Sequence, residues 1–195
     1  CGHELSPRFP ALVQLKANPD LTRPLKGIKY TGKIDLLTDG RVRRTEEGEI
    51  LFTEYGLSGI AVMQLSGHLG QQRKLRKGHI RLDLFPGFEG EDDLAAYLKK
   101  RLSAMPQANM EDYFTGLLNK RVAGAVWKTL ELGEMSSKAS SLSGAEWDAL
   151  ACGLKNWAFH DLEDTGWKNA QTTGGGVRLA YLNPETFEYA VIEVN

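Results

Sequence analysis

The sequence predicts an α+β fold in which the N- and C-terminal segments form a small antiparallel β-barrel or sandwich, with a helical bundle inserted between them. Three observations support this prediction. Short strand patterns fill residues 10–53 and 79–85, apolar residues at helical spacing fill residues 91–158, and strand character returns after Phe159. The strands at both ends of the chain can share one sheet system, and the helices between them then form a separate layer.

Two subdomains follow from this division. We expect residues 1–88 and 159–195 to form the barrel-like subdomain and residues 89–158 to form the helical-bundle subdomain. The chain has 195 residues, enough for one large or two small hydrophobic cores.

Composition indicates an ordinary globular protein and excludes several classes. Hydrophobic residues make up 42% and charged residues 25%, and the formal net charge is −1, so no global field attracts nucleic acid or an anionic membrane. The two cysteines, Cys1 and Cys152, form neither a disulfide framework nor a zinc motif. No apolar run is long enough to cross a bilayer, and we expect a cytoplasmic protein without a metal or a membrane partner.

The N-terminal quarter reads as a meander of short antiparallel strands. Pro10–Leu15 is apolar, and Gly27–Leu37 alternates apolar and polar residues. Asp39-Gly40 is a dipeptide typical of a two-residue hairpin with positive φ. Glu47-Gly48 predicts a second turn, which leads into the strand Ile50–Thr53.

A strand, a sharp turn and a helix are predicted around Gly56, Leu57, Ser58 and Gly59. Helical apolar spacing begins at Ile60, so the turn leaves backbone N–H groups that could receive an anion or the polar edge of a ligand. From the local sequence alone, a tight structural turn is the favoured alternative. The turn also resembles a hydrolase nucleophile elbow, but its second glycine follows Ser58 by one position instead of two.

The central region changes to helical periodicity. His79–Phe85 alternates like a half-buried strand, and Glu91–Leu102 follows as a helix with acidic residues in its first turn. Met110–Leu132 is helical, either as one helix or as two. Ser143 and Glu146 form a capping box, and the tryptophans of this region lie on apolar rows and are predicted to be core residues.

The basic stretch Arg73–Lys77 favours a solvated helix end over a nucleic-acid patch, because no aromatic residue is interleaved.

A triple glycine dominates the C-terminal region, in the run Thr172, Thr173, Gly174, Gly175 and Gly176. Such a run implies either a flexible loop or a close backbone approach. Asn183-Pro184-Glu185 predicts a turn, and Phe187–Val194 predicts a last strand. No Gly-x-Gly-x-x-Gly fingerprint follows a strand, because Leu179 stands where the third glycine should fall.

Four motifs occur in a fixed order and spacing along the chain. They are Gly2-His3-Glu4-Leu5 with Ala11–Leu15 (compare "PALVPL"), Leu51–Gly59 with Ile60 ("LFTHxGLSGP"), Leu117–Ala123 ("LLPKRLA"), and Thr173–Val177 with Asn183–Glu188 ("TxGGV…NPxTMES"). Taken together, they resemble the middle of the BaiN-like flavoproteins, a bacterial family also called FAD-dependent aminoacetone oxidases or NAD(FAD)-utilizing dehydrogenases. Gln14, Glu54 and Ile60 depart from the common residues of that family.

The resemblance implies an FAD-binding Rossmann-like domain interrupted by an insert, a small barrel that carries a helical bundle. The chain lacks an initiator Met and the family's glycine-rich flavin motifs, so we expect it to be the insert, excised from a bacterial FAD-dependent oxidoreductase. Its partner would be the FAD-binding domain of the same polypeptide. Alone, it is expected to lack FAD and activity, and its substrate and general base are not identified by the sequence.

Two stretches are the candidates for approaching the flavin or substrate in the full-length protein. The first is Thr172–Gly176, because a glycine backbone can approach a planar ring closely. The second is Gly56–Gly59. The alternative function, of a different class, is a self-contained module that binds RNA or another protein through the barrel and Arg73–Lys77.

Overall fold

A computed structural model describes residues 3–71 and 78–189 of the chain. Cys1 and the basic stretch Arg73–Lys77 lie outside them. The predicted last strand, Phe187–Val194, lies mostly outside them as well. No helix in the described ranges is long and apolar enough to span a membrane.

The described residues form nine strands and six α-helices, which occur in the order strands, helices, strands. The N-terminal elements are β1 (Leu5–Ala11), β2 (Leu15–Lys16), α1 (Pro19–Thr22), β3 (Lys29–Thr38), β4 (Arg41–Phe52), β5 (Gly56–Ser58), α2 (Ile60–Gln71) and β6 (His79–Asp83). The remaining elements are α3 (Glu91–Ala104), α4 (Met110–Tyr113), α5 (Lys120–Thr129), α6 (Gly144–Lys155), β7 (Trp157–Phe159), β8 (Glu163–Asp164) and β9 (Thr172–Val177).

Seven strands form one antiparallel sheet with the order β7-β6-β3-β4-β5-β2-β8. The long β3–β4 hairpin is its centre, and the turn between these strands is the predicted one. Asp39 and Gly40 have φ angles of 51° and 70°, as a type I′ turn requires at both of its central residues.

The second predicted turn, at Glu47-Gly48, is wrong. β4 continues through it as one strand of 12 residues, with Gly48 paired opposite Gly32 of β3. The ladder with β3 provides partners for the backbone along the strand, and this pairing overrides the local turn preference of glycine.

The sheet is open in the described residues but strongly curled. Its edge strands, β7 and β8, are close in the chain, because β7 ends at Phe159 and β8 begins at Glu163. Four residues span at most about 14 Å, whereas seven strands laid flat would separate the edges by about 29 Å. The sheet must therefore bend round toward a barrel, although no closed barrel is present in these ranges.

The β1 and β9 strands form a separate two-stranded antiparallel sheet, which we call the ribbon. The predicted continuous strand Pro10–Leu15 is therefore divided. β1 ends at Ala11, Leu12 takes a positive φ of 49°, and Leu15 resumes as part of β2 in the large sheet. The left-handed residue turns the chain from one sheet to the other.

The helices α3–α6 lie between β6 and β7 in the chain, and their apolar faces join the sheet in one hydrophobic cluster. The predicted helix Met110–Leu132 is two helices, α4 and α5. The capping box of Ser143 and Glu146 is confirmed, since each side chain bonds the other residue's backbone N–H. Trp127, Trp147 and Trp157 are buried, as predicted.

Candidate functional site

The predicted turn at residues 56–59 begins as a buried strand. Gly56, Leu57 and Ser58 form β5, which pairs with β2 on one side and β4 on the other. All three residues are buried. The helix predicted after them does begin at Ile60, where α2 starts.

Both glycines of this segment are required by neighbouring backbone. A Cβ at Gly56 would lie 2.0 Å from the carbonyl oxygen of Leu15. A Cβ at Gly59 would lie 2.3 Å from the carbonyl oxygen of Glu49, and the φ of Gly59 is +96°. The glycines thus have a structural reason within the chain, and contact of this stretch with a flavin stays a prediction.

The triple glycine lies in β9, an edge of the ribbon, and not in a flexible loop. Thr172 and Thr173 are exposed, and they pair with Ala11 and Pro10 of β1. In the described residues β9 pairs only with β1, so its other edge presents backbone groups that can accept a further partner.

The three glycines differ in what surrounds them. A Cβ at Gly174 would lie 2.1 Å from the ring of Phe9, and one at Gly175 would lie 2.3 Å from the carbonyl oxygen of Pro7. Gly176 has a φ of +132° and nothing within 4 Å of its Cβ position. The predicted close approach therefore exists at Gly174 and Gly175, but its partner is β1, while Gly176 faces open space.

Helix α2 fixes the position of the ribbon. The ring of Phe9, buried at 7% exposure, also lies against Gly70, whose Cβ would be 2.1 Å from a ring carbon. Just beyond β1, the backbone N–H of Val13 donates to the buried Ser66 hydroxyl at 3.0 Å. The two candidate stretches lie in different sheets, and both contact α2.

The outer end of the ribbon carries a cluster of polar and aromatic side chains. The guanidinium of Arg178 pairs with the carboxylate of Glu4. The backbone N–H of Arg178 also donates to the backbone carbonyl oxygen of Glu4 at 3.1 Å. Hydrogen bonds from Tyr181 and Arg178 lower the pKa of Glu4. The hydroxyl of Tyr189 accepts from the Glu4 N–H at 3.1 Å, and its ring packs on His3 at 4.3 Å.

A charged cleft between the sheet and the helices was not predicted from the sequence. On the sheet, Asp35 of β3 accepts a 2.6 Å hydrogen bond from Thr45 of β4 and another from Arg81 of β6. The three residues are cross-strand partners, so their side chains lie on one face. Asp35 stands within the apolar run Ile34–Leu37, and this position was the only sequence signal of its burial.

Lys155, at the end of α6, joins the two walls of the cleft. Its ammonium donates to the Asp83 carboxylate at 2.7 Å and to the carbonyl oxygens of Phe85 and Phe88 at 3.0 and 2.6 Å. The cleft has a volume of about 580 Å³, and its other charged lining residues are Lys33, Glu47, Glu89, Glu91 and Asp92. These interactions satisfy the buried charges and hold the helical layer on the sheet.

No group of three or more His, Cys, Asp or Glu side chains within the described ranges could hold a metal ion. His79 and His160 pack together at 4.9 Å between ring centroids. Burial, His160 and Arg81 together lower the pKa of His79, which favours a neutral imidazole. A second groove, of about 470 Å³, lies between α1 and α5, and Leu21, Pro24 and Ala125 supply its apolar lining.

A family model, described as the HI0933-like protein barrel and H2TH domain, matches residues 9–172. The match includes the large sheet and all six helices, and it ends at the first residue of β9.

Two curated proteins are similar to the chain. A 3-dehydro-bile acid delta(4,6)-reductase of Clostridium scindens is 34% identical over 193 residues, which are 96% of this chain and 46% of that protein. A ribosomal RNA dihydrouridine synthase of Escherichia coli K12 is 27% identical over 139 residues, 71% of this chain and 32% of that protein. The chain spans less than half the length of either relative.

Proposed function

The chain belongs to the HI0933-like flavoprotein family, and from this membership we propose that it is the substrate-side insert, or lid domain, of a bacterial FAD-dependent oxidoreductase. The flavin supplies the hydride chemistry, and another domain of the same longer polypeptide holds most of it. The chain alone is expected to be inactive and without FAD.

The ribbon is the observation that carries this proposal. An inserted domain must leave its host and return to it at neighbouring points, so its first and last strands should lie side by side. Leu5 of β1 is directly opposite Val177 of β9, and the Arg178 N–H bonds the Glu4 carbonyl. The first and the last strand of the described residues therefore lie side by side, as an insert requires.

Within this proposal, Thr172–Gly176 contacts the flavin or the substrate. The space beside Gly174 and Gly175 is filled by Phe9 and Pro7. Gly176 and the outer edge of β9 are open to another group in the described residues. These residues fit a contact along one side of a planar ring, and they do not form a dinucleotide cradle. Gly56, Leu57, Ser58 and Gly59 are the second candidate, although their burial in the sheet offers little surface to a ligand.

The substrate is expected to be selected by the whole protein and not by this fold alone. One relative is named for a bile acid and the other for ribosomal RNA, yet both align with most of this chain, over 96% and 71% of it. We infer that one curled sheet with its helical layer is compatible with a small apolar substrate and with a polynucleotide.

Flavin content tests the proposal directly. We expect the longer polypeptide that contains this chain to copurify with FAD, seen as visible flavin absorbance and released by denaturation, and the chain alone to be colourless. A longer reading frame without a Gly-x-Gly-x-x-Gly motif before Cys1 and without bound flavin would contradict the assignment. Bound FAD in the chain alone would contradict the proposal that another domain holds most of the flavin.

A self-contained module that binds RNA is the second candidate, and the similarity to the ribosomal RNA enzyme favours it. Against it, many basic side chains on the described surface are neutralised by acidic partners. Such pairs are Lys26–Glu54, Lys29–Glu49, Lys99–Asp148, Lys120–Glu111 and Arg178–Glu4. Binding of the chain to ribosomal RNA with an affinity that falls steeply with salt would support this alternative.

We also propose a reducing cytoplasm as the compartment of the protein. Cys152 is an exposed free thiol, and such thiols persist where glutathione and thioredoxin keep them reduced. A membrane partner is not part of the proposal.

A further inference from the structure

The outer end of the ribbon combines satisfied polar groups with exposed apolar side chains. Leu5 and Val177, directly opposed across the two strands, are 55% and 38% exposed. Leu179 and Phe187, in the segment that follows β9, are 80% and 77% exposed, the highest fractions of any large apolar side chains in the described ranges. We call these four residues the ribbon-end surface.

The polar groups beside this surface are already used by one another. The Glu4 carboxylate pairs with Arg178, and the Glu4 N–H donates to the Tyr189 hydroxyl. Arg178 and Glu4 are themselves half exposed, at 47% and 50%, and large apolar side chains are exposed beside them. Scattered single apolar side chains would need no explanation. Four of them at one end of the ribbon and in the segment that follows it offer apolar surface of the kind that other protein surfaces cover.

The ribbon also needs support at this end. An isolated two-stranded sheet is marginally stable in water. Phe9 holds the inner part of the ribbon through its contact with Gly70 of α2, whereas the outer part, at Leu5 and Val177, has no neighbouring strand in the described residues other than its own partner. A further surface packed there would complete it.

The position of the patch indicates what covers it. Glu4 bonds both Arg178 and Tyr189 at this end, so the first and the last described residues of the chain lie beside the ribbon-end surface. The chain covers 46% of the length of its bile acid reductase relative. We propose that the ribbon-end surface is the docking site for the flavin-binding part of the same longer polypeptide. This inference rests on the proposed function.

Thiol labelling in the longer polypeptide tests the docking. Leu179→Cys and Phe187→Cys are introduced singly into a background with Cys1→Ser and Cys152→Ser. Matched controls are Val42→Cys and Tyr97→Cys, because Val42 and Tyr97 are also exposed, at 47% and 39%, and lie on the β3–β4 hairpin and in α3, apart from both candidate stretches. Each labelling rate is divided by the rate of the same variant in denaturant, and flavin content is measured on the same samples.

We expect residues 179 and 187 to label about tenfold or more slowly than residues 42 and 97, because labelling must await opening of the interface. The slowing should not depend on protein concentration. Equal rates with flavin retained would overturn the docking and leave the proposed function standing. Slow labelling without flavin would support docking but contradict the flavin assignment. Slowing that appears only at high concentration would replace the proposed occupant with a second copy of the chain.

Discussion

The ring of Phe9 lies where a side chain of residue 174 would stand, so that a Cβ on Gly174 would come within 2.1 Å of the ring. Gly70 of α2 approaches the same ring equally closely. One aromatic side chain thus joins the ribbon to the helix, and two glycines far apart in the sequence are required for it. The triple glycine therefore has a packing role whether or not a flavin lies beside it.

The first prediction compares two glycines on the same helix. Gly70→Ala should lower the free energy of unfolding by about 1–3 kcal/mol, because the added methyl group overlaps the Phe9 ring. Gly67→Ala should raise it by up to about 1 kcal/mol, because nothing lies within 4 Å of Gly67 and alanine favours a helix. Urea unfolding followed by circular dichroism measures both. Two stabilising substitutions would contradict the packing of Phe9 against α2.

Local chemistry determined the features that the sequence could predict. The Asp39-Gly40 hairpin and the Ser143–Glu146 capping box depend on residues next to each other or one turn apart, and both are present. The helix start at Ile60 likewise follows from nearby residues. Patterns of this kind persist because no distant partner competes with them.

Long-range pairing determined the features that the sequence could not predict. The dipeptide Glu47-Gly48 is typical of a turn, but Gly48 stays in a strand because Gly32 of β3 pairs with it. The triple glycine indicates a close approach, yet nothing in its neighbours identifies Phe9, 165 positions earlier than Gly174 in the numbering, as the group that approaches. The Asp35, Thr45 and Arg81 contacts depend in the same way on the register of three strands.

The second prediction concerns the join between β5 and α2. Gly59→Ala should destabilise the fold by about 2 kcal/mol or more, since Gly59 has a φ of +96° and its Cβ would meet the backbone oxygen of Glu49. Gly87→Ala is the matched control, because Gly87 has ordinary φ and open space around its Cβ position. Thermal unfolding measures the difference. Similar melting temperatures for the two variants would show that the backbone of β4 at Glu49 leaves room for a side chain at residue 59.

The third prediction is a dependence of stability on pH through His79. Burial, His160 and Arg81 lower the pKa of His79 below 6.5, so the unfolded chain binds this proton more readily than the folded chain. The contribution of neutral His79 to stability is fully present above about pH 6.5, the ordinary pKa of a histidine. The free energy of unfolding should therefore fall as the pH drops from that value toward the lower pKa that His79 has in the folded chain. His79→Gln should flatten this decline, and His160→Gln should flatten it partly. Chemical denaturation at several pH values between 5 and 8 measures it, and an unchanged decline in His79→Gln would assign it to other groups.

Lys155 and Asp83 form the ion pair that connects the helical layer to the sheet. Their side chains are only 10% and 14% exposed, whereas those of the Lys99–Asp148 pair are 43% and 61% exposed. Both pairs are short, at 2.7 and 2.6 Å. They therefore differ mainly in burial, and this difference makes them a matched comparison.

The last prediction follows from that difference. Lys155→Met should lower the free energy of unfolding by about 3–5 kcal/mol, because it leaves the Asp83 carboxylate buried without its counter-charge and removes the donor to two backbone carbonyls. Lys99→Met should change it by less than about 1 kcal/mol, because solvent screens an exposed pair. The double substitution Lys155→Met with Asp83→Asn should recover part of the loss, since no unpaired charge then remains. Urea unfolding of the wild-type protein and the three variants measures these changes, and equal losses for Lys155→Met and Lys99→Met would show that water reaches the cleft pair as freely as the surface pair.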